Sequence, residues 1–386
     1  MNIPTTPSRR YDLDWLRVFG ILAVFFGHSL HFFDTEDWAI KNATTYPWVD
    51  SLMALLGMWI MPLIFVVSGA SLFYASRKGN AAGFAKDKVL RLLVPLLVGV
   101  FIFSVTQVYV ERVNHGQFQG TLFDFLPHYF DGLYGFGGNF AFHGLHLWYL
   151  LVLFIFTFLL MPLFWWFKGA TGDRALRRLG GLLALPGAIV LFVAPTLMLR
   201  VITDTGALGG GYALGGWRPV QYLWFLLAGY LIVSNERLQQ RIIQARWVCL
   251  MLAVLLVTLS FAQQMGPAGY RIVAVWPGLL AMLGFAMKRL TYTNRFLGYA
   301  NDAVLPFYIL HHNVLVWVGF FVVGWAIPDV AKYLIIMLTS FAACVLLYEY
   351  LVRRVNVLRI LFGMKPQRRP VRLAPVATPV LQSTKL

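Results

Sequence analysis

Two side chains in the first apolar segment, Arg17 and His28, combine residue types and a spacing that suit chemistry inside a membrane. They stand eleven residues apart in LRVFGILAVFFGHSL. In an α-helix this spacing returns to within about 20° of the starting face, roughly 16 Å further along the axis, so both side chains share one face. An ionisable group in hydrocarbon is costly unless it lines a polar cavity or has a partner. The pair therefore indicates a polar path into the membrane and half of an active site.

His28 is a candidate general base, because an imidazole with an unperturbed pKa of about 6.5 needs little help to accept a proton near neutral pH. Asp14, three residues before Arg17, is expected to pair with that arginine across one helical turn at the cytoplasmic boundary. The sequence leaves two alternatives open. His28 could be a packed, hydrogen-bonded core residue, and the Asp14–Arg17 pair could serve only to anchor the helix.

Lys88 and Arg91 open the third apolar segment, in KDKVLRLLVPLL. Two cations on one face at the cytoplasmic edge suit a polyanionic ligand that arrives from the cytoplasm. The alternative is that both are snorkelling residues that only fix the orientation of the helix.

Three further histidines lie in apolar segments. His146 opens the fourth segment, and His311 and His312 lie near the middle of the ninth. Adjacent residues of a helix point about 100° apart, so we expect at most one of His311 and His312 to face the cavity of His28. The predicted substrate-binding and donor-binding residues are Lys88, Arg91, His146, Tyr308 and His311.

Other kinds of site have weaker support. We predict no metal site, because no H-x3-H or HExxH pair occurs and the two cysteines are not spaced to help. Cys249 and Cys344 fall inside predicted helices, where packing is favoured over a disulfide. Ser68 lacks the G-x-S-x-G elbow of a nucleophilic serine.

The elements that position these residues must be membrane helices. The chain has 386 residues, 59% of them hydrophobic and 12% charged, with a mean hydropathy of +0.69. This composition excludes an ordinary soluble domain and predicts an all-α polytopic bundle. Ten segments are long and apolar enough to cross a bilayer: 15–33, 51–75, 90–110, 145–167, 180–200, 216–234, 245–263, 270–288, 303–325 and 330–352.

The distribution of cations predicts the orientation. With the N-terminus in the cytoplasm, 26 of the 32 Lys and Arg residues fall inside, which follows the positive-inside rule and places both termini in the cytoplasm. Because the net charge of +16 is spread over all cytoplasmic loops, we do not expect nucleic acid as a partner. The first span is expected to be an anchor rather than a cleaved signal.

The predicted organisation has three parts. Residues 1–10 form a cytoplasmic N-terminal segment, residues 11–362 the transmembrane domain, and residues 363–386 a basic tail that we expect to be disordered on the membrane surface. No soluble domain is expected, although the long outer segment 111–144 could form a cap.

Five segments, taken together and in order, resemble acyltransferase family 3 of integral membrane proteins. They are LDWLRVFGILAVFFGH with its Arg-x10-His pattern, MPLIFVVSGASLFY, VLRLLVP, HLWYLLVLF and LPFYILHHNVLVW. The resemblance covers about residues 10–362 and, within the family, extends to the group that includes the glucan biosynthesis protein C type.

The resemblance implies transfer of an acyl group, with acetyl and succinyl the leading choices, from cytoplasmic acyl-CoA to a hydroxyl of a carbohydrate or glycolipid. The reaction would deliver the group to the outer face of a bacterial inner membrane. Acyl-CoA would be a co-substrate, no resident cofactor is implied, and homo-oligomerisation stays open. The alternative is a transporter or flippase of a small or lipid-linked sugar, since the same polar stripe could carry a substrate.

The resemblance also implies roles for individual residues. His28 would be the catalytic base, Arg17 its partner on the first helix, and Arg91 a donor-binding residue, with Asp14 completing the predicted catalytic group. Lys88 stands where the family often has an arginine. A lysine neutralises phosphate as a point charge but lacks the bidentate fork of a guanidinium.

Overall fold

The computed structural model describes residues 9–202, 217–262 and 267–367. The protein is 78% helical, and the described residues contain no strand. Long apolar runs form helices because every backbone N–H and C=O is then satisfied within the segment, as a bilayer requires. The predicted all-α polytopic bundle is confirmed. Most of the predicted N-terminal segment and tail lies outside the described residues.

Twelve helices carry the architecture within these ranges. They are α1 Tyr11–Leu30, α2 Pro47–Ser76, α3 Ala81–Asn114, α4 Leu145–Leu159, α5 Met161–Lys168, α6 Ala170–Leu183, α7 Val193–Ile202, α8 Pro219–Ser234, α9 Glu236–Ala262, α10 Pro267–Arg289, α11 Arg295–Val322 and α12 Asp329–Val352. A short helix, Asn356–Leu361, follows α12.

Each of the ten predicted segments corresponds to helical structure, but not all are uninterrupted spans. Among the described residues, seven helices are long and apolar enough to cross a membrane. Two predicted segments, 180–200 and 216–234, correspond to the shorter apolar helices Val190–Ile202 and Pro219–Ser234. The predicted fourth span is bent by 47° between α4 and α5. Pro162 stands at the start of α5, and its missing N–H accounts for a break at this point.

Helix α1 packs mainly against α2 and α11. Helix α2 also crosses α8 at very close range, because each helix has a glycine that faces the backbone of the other helix. A Cβ on Gly69 would lie 1.8 Å from the carbonyl oxygen of Leu226, and one on Gly229 would lie 1.9 Å from that of Val66. Small residues of this kind let membrane helices approach closely. This close crossing fixes the position of α2, which packs against α1.

Helix α3 contains two π-helical turns, Val89–Leu93 and Gly99–Phe103. Such turns are rare and frequently found at functional sites. The first turn contains Arg91 and directly follows Lys88. The predicted cation pair therefore lies where the helix departs from regular α geometry.

The segment between α3 and α4 folds as a cap, as the sequence suggested for 111–144. Arg112 holds it together: its Nε donates to the side-chain oxygen of Asn139 at 2.8 Å and its Nη2 to the carbonyl oxygen of Gly138 at 3.1 Å. The Tyr134 hydroxyl donates to Glu111 at 2.8 Å. These bonds tie the cap to the end of α3.

Candidate functional site

Two cavities occupy opposite halves of the same helices. The first, which we name the basic cavity, has a volume of about 390 Å³ and is lined by five cationic side chains: Arg17, Lys88, Arg91, Arg359 and Lys365. The second, which we name the histidine cavity, has a volume of about 540 Å³ and is lined by His28, His31, His115, His143, His146 and His312. On α11 the basic cavity is lined by residues 301–308 and the histidine cavity by residues 312–316.

Arg17 is fixed at the wall of the basic cavity by three partners. Its Nη1 donates to Asp14 Oδ1 at 3.1 Å and to Asn301 Oδ1 at 3.0 Å, and its Nη2 donates to Ser71 Oγ at 2.8 Å. The pairing with Asp14 expected from the sequence is present, and Asp14 also accepts a hydrogen bond from Arg9 at 2.9 Å. Because the guanidinium is planar with five donors in a fixed fork, three such partners leave it little freedom of orientation.

Lys88 and Arg91 lie together at the basic cavity, as their spacing predicts. Both contact Asp87, at 3.4 Å and 3.3 Å, so a single carboxylate faces two cations. The side chain of Arg91 is 45% exposed and that of Lys88 only 14%. Arg91 is thus the more accessible of the two to a ligand.

Four imidazole rings converge where the histidine cavity reaches the middle of the bundle. The ring of His28 lies 4.8 Å from that of His312 and 5.5 Å from that of His311, measured between centroids. His146 stacks on His312 at 4.6 Å and lies 5.3 Å from His311. The structure therefore brings together histidines from α1, the start of α4 and α11.

The structure distinguishes His311 from His312, which the sequence does not. His312 lines the histidine cavity. His311 is fully buried and is not among the described residues that line either cavity. His311 Nδ1 donates to the carbonyl oxygen of Tyr308 at 2.7 Å, one turn back in the same helix. His311, named from the sequence as a binding residue, thus packs behind the site, and His312 lies at it.

His28 has a ring nitrogen available for chemistry. Among the described residues, no side chain or backbone group hydrogen-bonds the buried Nδ1 of His28. Buried polar atoms are normally paired, so such atoms in a native structure call for an explanation. The unpaired nitrogen distinguishes His28 from an ordinary packed core histidine.

Aromatic and acidic side chains complete the histidine cavity. The aromatic residues that line it are Trp38, Tyr134 and Trp148, and the acidic residues are Glu36, Asp37 and Glu111. Burial raises the pKa of Glu36 above its ordinary value. Among the described residues, no lysine or arginine lines this cavity. The two cavities therefore differ in charge as well as in position.

A buried ion-pair group lies beside the histidine cavity. Asp34 Oδ2 is 2.6 Å from His31 Nδ1, and its other oxygen binds the Lys41 ammonium group. Burial alone would raise the pKa of Asp34, but His31 and Lys41 outweigh it and hold the pKa below its usual value. Asp34 is therefore a stable carboxylate that orients the His31 ring next to His28.

A thin layer of side chains separates the two cavities. Tyr149 and Tyr308 line the basic cavity, and their rings lie 5.8 Å apart. The Tyr308 hydroxyl donates to the carbonyl oxygen of His146 at 2.6 Å, and the hydroxyls of Tyr149 and Ser68 are hydrogen-bonded at 2.6 Å. Tyr308, which the sequence placed in the binding group, thus forms part of this dividing layer.

A third and larger depression, of about 900 Å³, lies between the N-terminal segment, α6 and α9. Its half-buried arginine, Arg10, already binds Asp12 at 2.7 Å, Tyr74 at 3.0 Å and Gln239 at 2.9 Å. Because these partners satisfy the guanidinium, we interpret this group as structural.

Metal chemistry finds no support in the described ranges, where no group of three or more His, Cys, Asp or Glu side chains is arranged to hold a metal ion. The imidazoles are close neighbours, but their nitrogens do not converge on one point. Sequence reasoning missed Gln107, which is 1% exposed and accepts a hydrogen bond from His312 at 2.7 Å. Its signal was an amide side chain inside an apolar span.

Comparison with known proteins places the chain in a family. A family model described as acyltransferase domain, acyltransferase family 3, matches residues 10–349. The glucans biosynthesis protein C of Salmonella heidelberg (strain SL476) and that of Salmonella agona (strain SL483) are each 21% identical to this chain over 377 residues, covering 93% of this chain and 95% of the relative. No solved structure matches.

Proposed function

The chain belongs to acyltransferase family 3, and on that premise we propose that it moves an acyl group between its two cavities. The donor is acyl-CoA in the basic cavity, and the acceptor is a carbohydrate or glycolipid hydroxyl in the histidine cavity. The observation that carries the proposal is the position of Arg17 and His28, which lie on one helix and line opposite cavities.

The basic cavity suits the donor. Coenzyme A carries phosphate groups at one end and a thiol on a narrow pantetheine arm at the other. Arg91 and Lys88 neutralise phosphate at the mouth, and a volume of about 390 Å³ accommodates the arm rather than the whole molecule. The thioester then reaches the layer formed by Tyr149 and Tyr308.

The histidine cavity suits a sugar. Trp38, Trp148 and Tyr134 offer flat apolar surfaces for the C–H faces of a pyranose ring, and tryptophan and tyrosine supply such surfaces at small entropic cost. Glu36 and Glu111 can accept hydrogen bonds from hydroxyl groups. The absence of lysine and arginine from the described lining favours a neutral polyhydroxyl acceptor over an anionic one.

His28 supplies the chemistry in this proposal. Its imidazole removes the proton from an acceptor hydroxyl as that oxygen attacks the thioester carbonyl carbon. The C–O bond forms, the C–S bond breaks, and the proton passes from His28 to the CoA sulfur, which leaves as the thiol. Holding donor and acceptor on either side of one side-chain layer converts a bimolecular reaction into an effectively unimolecular one.

The acyl group and the membrane belong to the same proposal. Acetyl-CoA and succinyl-CoA are the donors to test first, because they are the leading choices that the sequence resemblance implies; the relatives are named for glucan biosynthesis, which favours a glucan as the first acceptor. We place the protein in a bacterial inner membrane with the basic cavity facing the cytoplasm, where acyl-CoA is made.

Turnover by purified protein tests this proposal. The protein in lipid nanodiscs receives acetyl-CoA or succinyl-CoA with a neutral glucan oligosaccharide, and CoA release and the acceptor mass are followed together. We expect release of one CoA per acyl group gained by the acceptor. Movement of unmodified oligosaccharide across proteoliposomes without CoA release would contradict the proposal and favour a transporter.

A further inference from the structure

The hydrogen bond between Gln107 of α3 and His312 of α11 joins two helices inside the bundle. His312 Nδ1 lies 2.7 Å from Gln107 Oε1, and the two residues are 6% and 1% exposed. An amide oxygen only accepts hydrogen bonds, so with the Gln107 amide in this orientation a neutral His312 carries its proton on Nδ1. The lone pair of His312 is therefore on Nε2.

His312 also lies beside the candidate base. Its ring is the imidazole nearest to His28, at 4.8 Å between centroids and nearly perpendicular at 88°. His28 Nδ1 is buried and has no partner in the described part of the chain. Hydrogen bonds at a catalytic site are often long in the free enzyme and tighten only when substrate is bound, so the closeness of the two rings is compatible with a hydrogen bond between them in the substrate complex.

The neighbours of His312 do not offer another explanation for Gln107. The titratable groups around His312 are His28 of α1, His31 just after α1, His146 at the start of α4 and His311 of its own helix. All are imidazoles. From α3 the nearest charged group in the cavity is Glu111, which is occupied by Arg112 at 3.1 Å and by Tyr134 at 2.8 Å.

We propose that Gln107 and His312 are positioning residues for His28. Gln107 holds His312 with its proton on Nδ1, so that Nε2 of His312 accepts a hydrogen bond from Nδ1–H of His28. This leaves the lone pair of His28 on Nε2, where the base needs it to take the proton of the acceptor hydroxyl. The inference rests on the proposed function, because it assigns these roles within that reaction.

The consequence for catalysis follows from proton balance. When Nε2 of His28 takes the hydroxyl proton, His28 becomes an imidazolium, and His312 stabilises it through the Nδ1–H bond without gaining a proton. The Nε2 proton of His28 then passes to the CoA sulfur. His312 and Gln107 end the cycle unchanged, as positioning residues do.

Variants of Gln107 test this assignment. Gln107→Leu removes the acceptor, so we expect kcat to fall about 10- to 100-fold, by analogy with the loss of the hydrogen-bond partner that orients a metal-ligating histidine. The KM for acyl-CoA should stay nearly constant, because Gln107 is not among the residues that line the basic cavity. In Gln107→Glu a carboxylate still accepts the Nδ1 proton, so we expect much of the kcat to return.

The pH profile separates positioning from packing. The carboxylate of Gln107→Glu favours the protonated form of the nearby imidazoles, so the acidic limb of kcat/KM should move to higher pH. Thr106→Val is the matched control. It removes a hydrogen bond of 2.7 Å between the same two helices, from Thr106 Oγ1 to Asn313 Oδ1, and should leave kcat and the pH profile close to wild type.

The tautomer of His312 can be measured by NMR spectroscopy. This measurement does not depend on turnover, so it also applies to variants that have lost activity. In protein labelled with ¹⁵N-histidine, the His312 signal, assigned by its loss in His312→Asn, should show a protonated Nδ1 in the wild type and a mixture of tautomers in Gln107→Leu. If the His312 tautomer in Gln107→Leu equals that of the wild type, or if the kcat of Gln107→Leu equals that of Thr106→Val, the inference is wrong. The proposed function would still stand in that case, provided that the wild type releases CoA. No CoA release by the wild type would instead overturn the function.

Discussion

At the scale of residues, Arg17 and His28 differ in how the protein holds them. Three side chains fix the Arg17 guanidinium, whereas a buried nitrogen of His28 has no partner among the described residues. A fixed cation suits binding of a donor, and an unsatisfied imidazole suits proton transfer. Substitutions at the two positions should therefore affect different kinetic constants.

His28→Ala should lower kcat on the order of 10²- to 10⁴-fold while acyl-CoA binding stays nearly intact, since this is the usual contribution of a general base. His128→Ala is the matched control, because His128 is an exposed histidine that pairs with Asp131 on the cap. Steady-state CoA release and acyl-CoA binding in nanodiscs measure both effects. Full acyl transfer by His28→Ala at normal expression would show that this histidine only packs.

Arg91→Ala should raise the KM for acyl-CoA and change kcat little, because in the proposed function its half-exposed side chain binds the donor phosphates and takes no part in the chemistry. Arg91→Lys should recover only part of the loss, since lysine lacks the bidentate fork. Donor titrations in the CoA-release assay give both constants. A fall in kcat at constant KM would place Arg91 in the chemistry instead.

The sequence allowed most of this residue-level picture to be predicted. Helical periodicity was enough to put Arg17 and His28 on one face, because that relation is local. It was not enough to choose between His311 and His312, since the choice depends on how α11 is rotated against α1 and α3. The role of Gln107 could not be predicted for the same reason, since its hydrogen-bond partner His312 is 205 residues away in the chain.

At the scale of elements, one departure from regular helical geometry lies at the basic cavity and another ends the helix that carries His146. The π-turn at Val89–Leu93 contains Arg91, and the bend of 47° separates α4 from α5. Hydropathy predicted the apolar segments but neither feature. A window average reports how apolar a segment is, and it does not report where a turn widens or how two backbones cross.

The crossing of α2 and α8 gives a prediction of stability. In Gly229→Ala the new Cβ would lie 1.9 Å from the carbonyl oxygen of Val66, so the helices must separate. We expect a loss of about 1–3 kcal/mol of stability, typical of overpacking, seen as a lower melting temperature in detergent. Gly298→Ala is the control, since open space surrounds that exposed position of α11. A melting temperature for Gly229→Ala equal to that of Gly298→Ala would contradict the close packing.

At the scale of the whole molecule, the proposed reaction assigns the two ends of the bundle to different compartments. In that proposal the basic cavity meets the cytoplasm, where acyl-CoA is present, and the capped histidine cavity meets the outer side. The same arrangement follows independently from the positive-inside count of the sequence. Charge bias and cavity chemistry thus predict one orientation from different residues.

Cysteine labelling in intact cells measures that orientation. Phe136 on the cap is 86% exposed, and Lys78 is exposed in the loop between α2 and α3. The native Cys249 and Cys344 are buried, so they should give little background. We expect a membrane-impermeant thiol reagent to label Phe136→Cys in intact cells and to label Lys78→Cys only after the membrane is opened. Labelling of Lys78→Cys from outside, in protein that still transfers acyl groups, would mean that the basic cavity faces away from the cytoplasm and that acyl-CoA reaches the site by another route.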